Sequence, residues 1–181
     1  KYDVRWLISE LAKSKTYQRA SRMDQKLPAR EFFVYGLEKR LSAEQLLASI
    51  LVATGRWNKD KPFDETPLPE ALMQKYMKAF ANAGREPEDE IAFSLQAALF
   101  LLNDSTVLKL LEADENSLVA QLEKTMDERK AIELAWLSTL VRKPSEDEVQ
   151  AALEVLKKAK DSKYKVLVWG LLASTEFNLN H

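Results

Sequence analysis

Apolar residues in this chain recur three and four positions apart, and no segment of useful length alternates apolar with polar. A period near 3.6 lays such positions along one face of an α-helix, whereas a half-buried strand requires a period of two. Val4, Leu7, Ile8 and Leu11 form one such face, with Asp3 placed to cap it, and the pattern predicts a helix to about Arg19. Ser42 and Gln45 have the spacing of a capping box, in which the hydroxyl takes a backbone N–H and the amide reaches back to the cap. Leu47, Ile50, Leu51 and Thr54 follow on one face, and Gly55 supplies a left-handed stop. Ser145 and Glu148 repeat the device ahead of Val149, Ala152, Leu153 and Leu156. Only four glycines are present, so tight hairpins are scarce. The expected fold class is all-α, an irregular bundle of about nine helices with no significant sheet.

The other elements follow the same signals. Pro28 suits the first turn of a short helix through Phe32, Phe33 and Leu37. Residues 56–69 hold Trp57 and three prolines and read as a loop. Met73, Tyr76, Met77 and Phe80 predict a helix ending near Gly84, followed by a charged turn over 85–90. The run from Ser94 to Leu102 is almost wholly apolar and predicts a buried helix. Asn103 breaks it, and Asp104 is placed to cap a short successor through Val107, Leu108 and Leu111. Asp114 is the expected cap of a helix carrying Leu118 and Leu122. Asp127 is the expected cap of a helix over 131–141, apolar nearly all round and therefore central. The last helix, about 164–174, contains Trp169 and Gly170. Glycine weakens a helix interior by about 1 kcal/mol against alanine, which is explained if another helix packs closely there. No fixed repeat period runs through the chain, so residues 1–181 are expected to form a single helical domain.

Composition narrows the chemistry. Apolar residues make up 46% and charged residues 30%, the balance of a folded domain. There is no cysteine, and the one histidine is His181. The usual zinc ligand sets and Ser-His or Cys-His catalysis lose their ingredients, so no metal site and no cofactor is expected in this chain. No apolar run reaches the roughly 18 residues that a membrane span requires. Residues 1–43 carry ten basic and five acidic side chains, while 86–154 carry six and sixteen. Such asymmetry speaks first for a solvated surface, and without aromatic or motif support it does not specify a nucleic-acid partner. The chain starts with Lys1 and a helical pattern sets in almost at once, so it is expected to be a processed or excised piece of a longer polypeptide.

Five segments occur in an order and spacing that resembles a known family: SKTYQRAS at 14–21, KRLSAEQL at 39–46, SLQAALFLLN at 94–103, LSTLVRKPS at 137–145, and WGLLASTEFNLNH at 169–181. Together they are similar to the C-terminal domain of unknown function of planctomycete-type multidomain proteins, which often carry a c-type cytochrome domain upstream. The resemblance implies an extracytoplasmic, multidomain parent with a haem module elsewhere, and more loosely a role near the breakdown of complex polysaccharides. It supplies no reaction and no catalytic residue. Many members carry a cysteine-containing segment ahead of 94, where this chain has Arg85, Glu86, Pro87, Glu88, Asp89 and Glu90. No Cys-x-x-Cys-His motif is present, so the chain attaches no c-type haem by itself.

Four residues stand out as binding candidates. Arg40 and Glu44 are four apart, with the carboxylate in the first turn of a helix, where it suits the positive dipole end. They read either as an Arg presented to an anionic sugar or partner, or as a structural salt bridge. Trp57, with Arg56, Lys59 and Lys61 nearby, reads as a stacking platform or as a lid on the core edge. Asn103 reads as a polar group in a cleft or as a helix end. Glu86, Glu88, Asp89 and Glu90 lack the ligand spacing and central glycine of a calcium loop and read as a solvated turn. The tail pair Asn180 and His181 reads as frayed or as docked in the parent. The expected role is a noncatalytic interaction or scaffold domain that meets upstream domains of its own chain. The alternatives are part of a polysaccharide-degrading enzyme completed by those domains, with acidic polysaccharide as partner, or a packing domain for the haem module.

Overall fold

Nine α-helices account for most of the regular structure among the residues that the computed structural model describes, 3–18, 39–57, 68–80, 95–159 and 162–180. They are α1 (Val4–Lys13), α2 (Ala43–Ala53), α3 (Glu70–Phe80), α4 (Leu95–Asn103), α5 (Ser105–Leu110), α6 (Leu118–Lys124), α7 (Glu128–Thr139), α8 (Glu146–Lys158) and α9 (Lys163–Leu172). The strand content among these residues is a two-residue antiparallel pairing of β1 (Lys39–Arg40) with β2 (Leu179–Asn180). Among the described residues the chain is all-α with no significant sheet. None of the described helices is long and apolar enough to cross a membrane. The expected helix after Pro28 and the turn over 85–90 lie outside the described residues.

The chain divides into two compact units, Lys1–Arg40 with Leu179–His181, and Leu41–Asn178. In the first, Asp3 caps α1 by accepting from the Trp6 backbone N–H at 2.9 Å. This helix ends at Lys13, six residues before the sequence pattern predicts, because the backbone turns extended at Ser14 and the Gln18 amide bonds back to the Ala12 carbonyl at 2.7 Å. Val4, Leu7, Ile8 and Leu11, the whole apolar face, are exposed.

In the second unit α7 packs against α2, α6, α8 and α9. Ala131, Ile132 and Ala135 are fully buried there, against a core that includes Leu47, Leu122 and Val168. The opposite side of α7 is less apolar in practice than its composition predicts, since Leu137 is 43% exposed. α4 departs further from its expected burial: Ala97 and Leu101 are inside, while Leu99 and Leu102 lie open to solvent. Aromatic contacts join α3 to α4, where the Tyr76 ring meets Phe100 edge-on at 5.0 Å and stacks with Phe80 of its own helix at 5.8 Å. The Tyr76 hydroxyl has no hydrogen-bond partner, and burial, with Asp104 adding to it, pushes its pKa upward.

The caps explain most helix starts. Both capping boxes form: Ser42 with Gln45 and Ser145 with Glu148. Asp104 and Asp127 cap α5 and α7. For α6 the cap is Ser117 instead of Asp114, since the Ser117 hydroxyl accepts from the Ala120 N–H while Asp114 forms the preceding turn. Gly55 is required where it stands: its φ is +76°, and a Cβ there would meet the Asn116 carbonyl oxygen at 2.6 Å. That close approach lets the Leu118 N–H reach the Thr54 carbonyl at 3.0 Å, tying the end of α2 to the start of α6. Gly170 is the opposite case. No atom lies within 4 Å of a Cβ built there, so close helix packing does not explain it.

Val141, just beyond α7, adopts φ 56° although it is β-branched and 85% exposed. A left-handed residue commonly follows a helix end, but glycine is the residue that does so without strain. Val141→Gly is expected to raise unfolding stability by about 1 kcal/mol, because it relieves the strain and forfeits almost no packing. Ile132→Ala is expected to lower it by about 2–5 kcal/mol through the cavity it leaves. Urea unfolding followed by helical circular dichroism checks both.

Candidate functional site

α8 and α9, connected by residues 159–162, pack side by side and leave an apolar groove of about 340 Å³ between them. Ala151, Ala152 and Val155 come from α8, Val166, Leu167, Trp169, Gly170 and Leu171 from α9, and Trp136 from α7 beneath. The groove opens outward, since Ala151, Val155, Val166 and Gly170 are all exposed. A Cβ built at Gly170 would meet no atom within 4 Å. Trp169 is held by its indole N–H, which donates to the Leu101 carbonyl of α4 at 3.3 Å. Trp136 is buried and its indole N–H has no hydrogen-bond partner.

Glu148 stands at one end of this groove and belongs to a polar cluster. The Arg142 guanidinium donates to both carboxylate oxygens of Glu148, at 2.8 and 2.6 Å, and to both of Glu176, at 2.7 Å each. Two bidentate pairs on one guanidinium join the α7–α8 turn, the first turn of α8 and the segment after α9. The same Glu148 carboxylate accepts from the Ser145 backbone N–H at 2.7 Å and so closes the capping box. The hydrogen bonds from Arg142 come first among the causes that hold the Glu148 carboxyl down at about 2, with its backbone bond to Ser145 acting in the same direction. Arg142 is correspondingly held further into its charged form. These carboxylates are engaged as acceptors, and Glu148 stays ionised throughout the neutral range.

Arg40 lies in β1, half-buried, in the first unit, and Glu44 lies exposed in the first turn of α2, in the second. Trp57 packs half-buried against the core, its backbone N–H donating to the Leu51 carbonyl at 3.0 Å. Its neighbour Arg56 turns inward to the α5–α6 connection. It donates to the carbonyls of Leu110 and Glu112, at 2.8 Å each, and pairs with Asp114. Lys59 and Lys61 lie outside the described residues. Asn103, the last residue of α4, donates its side-chain amide to the Leu99 carbonyl at 3.1 Å, within its own helix. The acidic segment 86–90 and His181 are outside the described residues, and Asn180 is in β2. No group of three potential metal ligands occurs among the described residues.

None of the four sequence candidates lines the α8–α9 groove. The groove and the Arg142 cluster escaped sequence reasoning because their parts are far apart along the chain, Arg142 and Glu176 by 34 positions and Trp169 and Leu101 by 68. The one local signal was Glu148 itself, the last residue of the capping box that Ser145 opens after Lys143 and Pro144. No family model, no curated protein and no solved structure matches this chain.

The Glu148 interactions have a pH signature. A carboxylate held below its ordinary value stabilises the fold above about pH 4.5, and that contribution disappears as pH falls through about 2. Glu148→Gln keeps an acceptor for the cap but removes the charge. It is expected to cost about 1–2 kcal/mol at neutral pH, discounted for partial exposure, and the gap from the unsubstituted chain is expected to close toward pH 2. Urea midpoints at pH 6, 4 and 2.5 check this, and a gap that stays constant contradicts the assignment.

Proposed function

We propose that this chain is a noncatalytic interaction domain of a larger extracytoplasmic protein, docking on upstream domains of its own polypeptide. The supporting observation is the combination of open apolar surface and internally engaged polar groups. The apolar face of α1 and the α8–α9 groove are exposed, each described within its own compact unit. Contiguous apolar surface of this kind marks sites of association more often than sites of chemistry. Where an arginine and carboxylates do converge, at Arg142, Glu148 and Glu176, they are bonded to one another. A glycosidase acid needs a carboxyl whose pKa is raised, and that of Glu148 is lowered. The extracytoplasmic setting and the multidomain parent come from the resemblance of the five sequence segments alone.

The test is isothermal titration of the 181-residue chain with the upstream part of its polypeptide, at low and moderate salt. Saturable binding is expected, with a negative heat-capacity change from apolar burial. Absence of binding at both salt concentrations overturns the reading.

A further inference from the structure

We draw no further inference here: the strongest candidate, the apolar groove between α8 and α9, has Lys158, Lys163 and Lys165 at the same helical spacing from its lining residues as Asp147 and Glu154, and nothing in the structure shows what covers it.

Discussion

Burial of one side of α7 is the constraint on which the larger unit depends. Its eight helices among the described residues run from six to thirteen residues, lengths at which an isolated helix is marginal in water. Their stability therefore comes from the shared core. Ala131, Ile132 and Ala135 of α7, with Leu47 of α2, Leu122 of α6 and Val168 of α9, are buried completely. The two alanines matter as much as the isoleucine, because small side chains let neighbouring helices approach closely. α8 is drawn in through Val149, Ala152 and Leu156, and its position in turn creates the groove against α9.

Polar interactions here fasten the ends of elements and do not fill the core. Arg56 holds the α5–α6 connection by two carbonyls and a carboxylate, and Arg142 holds the α7–α8 turn to the segment after α9. Both are arginines, whose planar donors can serve several acceptors at once. The partly solvated setting keeps the cost of desolvating these pairs low, so they stabilise without the penalty of a buried ion pair. The left-handed Val141 immediately precedes Arg142, and the strained turn and the clamp thus lie next to each other. By contrast, the unpartnered Tyr76 hydroxyl and Trp136 indole N–H lie inside, where each is a small cost carried by the packing around it.

The two glycines that the sequence singles out separate once the structure is known. Gly55 answers to a close backbone approach and a positive φ, and both requirements can be seen in the Asn116 carbonyl and the α2–α6 link. Gly170 answers to neither. It was expected to admit a neighbouring helix, and it instead leaves open space at a surface whose walls are apolar. The exposed face of α1 and the half-buried sides of α4 share this character: their periodicity is that of core helices, but part of their apolar surface remains in water.

By itself the sequence determined the helical class, both capping boxes, the Asp104 and Asp127 caps and the stop at Gly55, because each depends on residues no more than four positions apart. Periodicity alone could not decide which apolar faces would be covered. Val4, Leu7, Ile8 and Leu11 are as regular as the buried Leu47, Ile50 and Leu51, yet one set is exposed and the other is core. Arg40, Glu44, Trp57 and Asn103 were legible as polar or aromatic residues at helix ends and loops, but their neighbours were not. Only the tertiary structure brought Arg142 to Glu176, Arg56 to Leu110 and Trp136 beneath α8 and α9, since these meetings follow from how helices far apart in the chain pack, which no local spacing records.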